Sequence, residues 1–320
     1  MRLSEETQTG WGVLALLAAA PLVFGALDQP FLMDLTNRLV IIAIAAVSLN
    51  LILGYGGMVS FGHAAFLGIG AYCVGIPAYY DIYDGWVHLL LALTVGGAFA
   101  LVTGAMSLRT KGVHFIMITM AFSQMIFFLF VSLEEYGADD GLIIYERSSV
   151  PFLDLHDDTS FFYLCLVSLL AALFVTHRIV HSRFGMVLQG TRTNDRRMQA
   201  MGYPSFRYRL VAYVIAGAMC AYAGALLGNF TEFISPEMMD WTRSGELIFM
   251  VVLGGTGRLY GPVFGVAIFI ILEEYLEVVM DAVWEGSGVY WHFVFGLLLV
   301  LVVLFVRGGI SGLLGRRADA

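Results

Sequence analysis

Lysine occurs once in these 320 residues, as Lys111, and charged residues make up only 13% of the chain. An ordinary soluble protein carries about 25%. The 17 basic residues are outnumbered by 25 acids, for a net charge of −8, so the electrostatic footprint of a nucleic-acid binder is missing. Seven prolines and no polar low-complexity tract argue against disorder. Cys73, Cys165 and Cys220 all lie inside apolar runs, with neither a disulfide framework nor a CxxC metal spacing, and read as small packing residues. No GxSxG, HExxH or intramembrane GxGD occurs, so the hydrolase templates fail and no metal or cofactor is expected. A Walker A loop ends in Gly-Lys-Ser/Thr, but Lys111 stands in Thr110-Lys111-Gly112. If ATP drives this protein, the nucleotide is held by a partner.

What fills the chain is apolar: 59% hydrophobic residues and a mean hydropathy of +0.81. Runs at 11–27, 37–54, 63–80, 86–107, 113–133, 161–180, 209–229, 246–257, 261–280 and 288–306 are mostly near the ~20 residues an α-helix needs to cross the hydrocarbon core. Barrel strands would show ~10-residue alternation instead. The expected fold is therefore all-α, a polytopic membrane protein of about ten spans. The run at 246–257 is short and closes in Gly254-Gly255-Thr256-Gly257, which suggests a broken or half helix. Ala18-Ala19-Ala20 resembles a signal cleavage site, but the leader sets Arg2 against Glu5 and Glu6 and the apolar stretch continues past Pro21, against a cleaved signal.

Sidedness follows from arginine and lysine in the short loops. Segment 181–209 carries Arg183, Arg192, Arg196, Arg197, Arg207 and Arg209 against Asp195; Arg109 and Lys111 lie in another loop, and Arg307, Arg316 and Arg317 at the end. Segment 134–158 holds eight acids against Arg147. Ten spans threaded with the amino terminus inside put the basic segments in the cytoplasm and the acidic ones outside. The expected organisation is a cytoplasmic leader 1–10, one transmembrane domain 11–307 with an internal loop 181–208 and an external loop 134–160, and a cytoplasmic tail 308–320, in a bacterial inner membrane.

Two glycine segments depart from plain membrane helix. Leu53-Gly54-Tyr55-Gly56-Gly57 leads into Ser60 and His63, and Leu253-Gly254-Gly255-Thr256-Gly257 leads into Gly261-Pro262. Both contain Leu-Gly-x-x-Gly and both turn back on the same side in this topology, which suggests a parallel internal repeat. Broken helices at membrane depth are tolerated where they are buried in protein or line a cavity. The glycines thus read either as a flexible wall of a translocation path or as close helix packing. Ser60 and His63 could offer donors to a polar solute, although a lone intramembrane histidine more commonly bonds a neighbouring helix. Segment 183–203 mixes charge with Val187, Leu188, Met198 and Met201, and Asn194 or Asp195 could cap a short helix that stops near Gly202 before Pro204. Such a helix suits docking into another protein's groove or lying on anionic lipid. Glu273, Glu274 and Glu277 read as a solvated helix end rather than an ion path. Asp154, His156, Asp157 and Asp158 read as a polar loop rather than a cation site, with Thr159 or Ser160 as the helix cap.

These same residues carry a resemblance. Asn50-Leu51-Ile52-Leu53-Gly54-Tyr55-Gly56-Gly57 through Phe66 resembles the opening motif of the LivM-type permeases of branched-chain amino acid ABC importers. Thr110-Lys111-Gly112-Val113-His114-Phe115, Asp139-Asp140-Gly141-Leu142, Arg183 through Gly202, Ile234-Ser235-Pro236-Glu237, Met250 through Pro262 and Leu304-Phe305-Val306-Arg307-Gly308 follow in the same order. The resemblance implies one of two homologous permease subunits, two cytoplasmic ATPases, an external solute-binding protein and alternating access, with membrane lipid around them. It points to Arg192, Asn194, Asp195, Met198, Ala200 and Gly202 as the ATPase-coupling contact and to Gly54, Gly57, Ser60 and His63 as pathway residues. A self-sufficient secondary transporter or channel for a small polar solute such as urea is the alternative, and Glu273 or Glu274 would then be its coupling carboxylate.

Overall fold

The computed structural model describes residues 29–150 and 155–283, together with 10, 12–13, 16–21, 293–297 and 300. The expected runs at 11–27 and 288–306 fall largely outside the described residues, and the cytoplasmic tail wholly so. Among the described residues, nine longer helices follow in chain order: α1 (Pro30–Asn50), α2 (His63–Tyr79), α3 (Gly85–Ser107), α4 (Val113–Val131), α5 (Asp158–Val180), α6 (Arg183–Ala200), α7 (Ser205–Thr231), α8 (Trp241–Gly254) and α9 (Gly261–Val283). Five are long and apolar enough to cross a membrane: α1 with its extension to Tyr55, α3, α4, α5 and α7. The fold is all-α. The sole sheet among the described residues is a two-residue pairing, β1 (Leu142–Ile143) antiparallel to β2 (Phe233–Ile234).

In lipid the apolar effect does not draw helices together, so close packing of small residues has to. Helix α7 is where this happens most. Gly217, Ala221, Gly224 and Gly228 form one stripe along it, and α2 and α3 lie against that stripe. A Cβ at Gly224 would overlap the Leu67 carbonyl of α2, and one at Gly70 would overlap the Ala221 carbonyl of α7. Backbones therefore touch across this interface. Several hydroxyls in the spans bond back to their own helix, as Thr103 to Phe99 O at 2.8 Å and Ser168 to Leu164 O at 2.8 Å, so these hydroxyl hydrogens are not left bare in an apolar setting. Helix α1 is the most enclosed span, with buried residues around its whole circumference from Leu39 to Asn50. Helices α3 and α4 instead turn rows of large apolar side chains outward, Leu90, Leu101 and Met106 on one and Met117, Met125 and Phe128 on the other, as suits contact with lipid or another subunit.

The two ends of the bundle differ in charge. At one end β1 pairs with β2, Arg147 bonds Asp158 at 2.7 Å and Glu232 at 3.1 Å, and the acidic loops gather. The N-cap of α5 is Asp157, which accepts from Ser160 N at 3.0 Å; the expected caps Thr159 and Ser160 lie inside the first turn instead. Asp157 fits because a carboxylate meets the free N–H groups and the positive end of the helix dipole together. At the opposite end lie α6, the loop with Arg109 and Lys111, and both glycine turns, brought together by the contacts described next.

Candidate functional site

Helix α1 does not stop cleanly. Its last turn opens into a π-helical segment, Leu51–Tyr55, and Gly57 then takes φ +68°, a left-handed conformation that a side chain would strain. Space is short as well, because a Cβ on Gly57 would sit 2.8 Å from Cγ of Arg192. The second glycine turn, between α8 and α9, docks on the first through one side chain. Asn50 Oδ1 accepts from Gly257 N at 3.0 Å, and Asn50 Nδ2 donates to Arg258 O at 2.8 Å. A buried amide satisfied at both ends by the backbone of another turn fixes their relation. The two glycine segments therefore share one end of the molecule and are joined.

Arg192 of α6 enters this joint from the surface. Its Nη1 donates to the Gly54 carbonyl, its stem packs on Gly57, and a Cβ on Gly257 would lie 3.4 Å from Nη1. One guanidinium thus touches both turns. An arginine suits the place because its apolar stem can lie along backbone while its planar head donates in fixed directions.

Helix α6 is two segments: one not expected, which starts at Arg183 with the Ser182 hydroxyl capping Gly185 N at 3.2 Å, and then the expected short helix, which ends at Ala200. It breaks at Asn194, where φ −155° and ψ 95° leave the helical region, and Asn194 Oδ1 then caps the second segment by accepting from Arg197 N at 3.0 Å. That cap is the one anticipated. The stop is equally defined: Gly202 takes φ +88°, Gly202 N bonds Gln199 O at 2.9 Å, Tyr203 N bonds Met198 O at 3.1 Å, and Pro204 follows. This is the reciprocal pattern of a Schellman stop, which favours a residue without Cβ at its left-handed position.

Asp195 anchors the break. Its carboxylate pairs with Lys111 from the α3–α4 loop and with Arg209 of α7 at 3.7 Å. Burial pushes its carboxyl up, but Lys111, Ser205 and Arg209 outweigh that and hold it below the usual carboxylate range. Met198 also faces the fold, packed over Gly190. Asn194, Ala200 and Gly202 are exposed, with Met201 at 54% exposure beside them. The six expected coupling residues therefore divide: Arg192, Asp195 and Met198 fasten the segment to the bundle, and Asn194, Ala200 and Gly202 present a surface.

The expected pathway residues divide too. Gly54 and Gly57 form the joint. Ser60 and His63 are 0% exposed in the single chain, and His63 Nε2 meets Ser48 Oγ of α1 at 2.9 Å, while Ala64 N donates to Ser244 Oγ of α8 at 2.9 Å. The histidine thus bonds a neighbouring helix. Asn50, Lys111 and Arg209 were not singled out from the sequence as site residues. Asn50 left a signal, since an amide inside an apolar run asks for a partner. Glu273 is paired with Arg38 of α1 at 3.3 Å, so its charge is balanced within the bundle. Asp154 lies outside the described residues, and no cluster of three metal-ligating side chains occurs among those described.

Residues 31–303 match the family described as "Branched-chain amino acid transport system / permease component". The chain is 25% identical over 268 residues to the high-affinity branched-chain amino acid transport system permease protein LivM of Salmonella typhimurium, covering 76% of this chain and 63% of that protein. It is 25% identical over 301 residues to LivM of Escherichia coli, covering 87% of this chain and 69% of that one. To the permease protein LivH of Escherichia coli it is 31% identical over 147 residues, 46% of each chain. This chain thus spans less than two thirds of the Salmonella protein. No solved structure matches it.

Proposed function

The chain belongs to the family of permease components of branched-chain amino acid transport systems, and from that premise we propose that it is one of two homologous membrane subunits of an ATP-driven amino acid importer. Its basic end would face the cytoplasm of a bacterial cell, with both termini on that side, in line with the positive-inside rule. Two ATPase subunits would dock on the exposed part of α6, and an external binding protein would deliver solute to the acidic end. Similarity to both LivM and LivH proteins supports a second, related permease beside this one.

The observation that carries this reading is Arg192. A docking helix alone would anchor an ATPase; a side chain running from that helix to the Gly54 carbonyl and lying against Gly57 and Gly257 gives its displacement a path into the spans. Alternating access needs a two-state element that the partner biases, and two glycine turns tied together by Asn50 form one. A gradient-driven transporter is less well served, because Glu273, one of its two candidate carboxylates beside Glu274, already has Arg38 as counter-charge.

The test is uptake of labelled leucine into vesicles carrying the reconstituted assembly. Expected are ATP-dependent uptake by the full set, none by this chain alone, and for Arg192→Ala a loss of about tenfold or more in uptake per ATP hydrolysed, the scale of a typical coupling free energy. Uptake by the chain alone along an ion gradient would overturn the reading.

A further inference from the structure

Helix α8 carries two charges in its first two turns. Arg243 and Glu246 lie one turn apart and pair at 3.0 Å. Eleven residues separate Arg243 from the end of α8 at Gly254, about 16 Å of helix at 1.5 Å per residue. Twelve separate Glu273 from the start of α9 at Gly261, about 18 Å. Against a hydrocarbon core of about 30 Å, these groups lie some way into the membrane from the glycine joint, at a depth where charges face a water-filled cavity or a partner rather than lipid.

A cavity is there. It measures about 730 Å³ and opens beside α8, between α4 and α9. That is within the ~300–1,000 Å³ range of small-molecule sites. Its wall is of two kinds: the phenyl rings of Phe127, Phe249 and Phe269, and the charges of Arg243, Glu246 and Glu237. Asp240 also reaches it, but is held by Gln124 at 2.6 Å and by the start of α8. Glu273, also in the wall, is held by Arg38. Arg243 and Glu246 are bound chiefly to one another across a partly exposed pair, the kind that yields readily to a better partner.

We propose that this cavity is a solute site of the translocation path, and that it takes a zwitterionic α-amino acid with an apolar side chain. The solute carboxylate replaces Glu246 on the Arg243 guanidinium, its ammonium group lies between Glu246 and Glu237, and its side chain rests on the phenyl rings. A single-charge solute would leave one half of the Arg243–Glu246 pair without a counter-ion in a partly dry setting, which is the basis of discrimination. The site also has a mechanical link: α8 carries Arg243 at one end and enters the glycine joint at the other, so movement of Arg192 alters the wall. The proposal rests on the importer reading and adds a location and a recognition chemistry to it.

Phe249→Cys, made with Cys73→Ala in the full assembly, places a thiol in the wall, and Tyr145→Cys, 84% exposed on the acidic loop, serves as a control. Labelling by a charged thiosulfonate is followed with leucine, 4-methylpentanoate (no amino group) or isopentylamine (no carboxylate) present. Leucine should slow labelling of the thiol at position 249 at least tenfold and leave the one at position 145 unaffected, and neither analogue should protect at the same concentration. Arg243→Ala and Glu246→Gln should each raise the half-protecting leucine concentration tenfold or more. Equal protection by the analogues, or protection unmoved by both substitutions in an assembly that transports leucine, would overturn the site. An unmodified assembly that takes up no leucine would instead overturn the importer reading beneath it.

Discussion

Asp195 stands where three elements meet, and its substitution separates anchoring from surface chemistry. In Asp195→Lys a third cation faces Lys111 and Arg209, so the second segment of α6 should swing away while the spans still insert. Substrate-stimulated ATP hydrolysis should fall by about tenfold, within the range of coupling free energies, with unchanged membrane yield. Gly202→Val should act in the same direction through the Schellman stop, because forcing a side chain into its left-handed conformation costs roughly 1–2 kcal/mol. The same carboxyl sets a pH limit. Its value in the fold lies below that of an unfolded chain, so its contribution is complete above the ordinary carboxylate value and is lost as pH falls through the lower one. A fluorophore at position 201 should therefore report a fixed α6 from about pH 8 to about pH 5 and release only below about pH 4. Release near pH ~6, or full stimulation in both variants, would show that Asp195 is not the anchor.

Helix α7 is the element on which packing depends most. Gly224→Val would drive two extra methyl groups and a Cβ into the Leu67 carbonyl of α2, and overpacking of this sort costs about 1–3 kcal/mol or more. Yield of folded protein and melting temperature should both drop, whereas the same change at Gly97, where a Cβ has room, should leave them near wild type. Equal effects at the two positions would remove backbone contact as the organising feature. Elements of this kind were partly legible in the sequence. Apolar runs announced the spans because lipid leaves a helix few alternatives, and the short α8 was visible in its closing glycines. The start of α1 at Pro30, seven residues before the run began, was not, since Pro30, Asp34 and Thr36 interrupt the apolar pattern there. Nor was the β1–β2 pairing: Leu142 and Ile234 lie about ninety residues apart, and two-residue strands have no periodicity to read.

Across the whole molecule, charge is arranged along one axis. One end gathers acids around β1, β2 and Arg147; the other gathers arginines, α6 and both glycine turns; α8 starts part-way between, where Asp240 meets Gln124, and runs to the second. The segregation was legible because loop charge is a local count. The joint was not, because it depends on which helices are neighbours: Asn50 and Gly257 are 207 residues apart, and Arg192 reaches Gly54 across 138. For the expected coupling residues, the pattern marked segment 183–203 but could not say that Met198 is buried and that exposed Arg192 reaches the Gly54 carbonyl, while Ala200 and Gly202 stay on the surface. ATP-driven transport by this chain requires the exposed part of α6 to be the cytoplasmic surface through which ATPases move the spans. Labelling of Met201→Cys by a membrane-impermeant maleimide, in sealed right-side-out and inverted vesicles, decides that point. Reaction is expected only in inverted vesicles, with protection there when the ATPase subunits are bound; reaction only in right-side-out vesicles would place α6 on the wrong side of the membrane for any such motor.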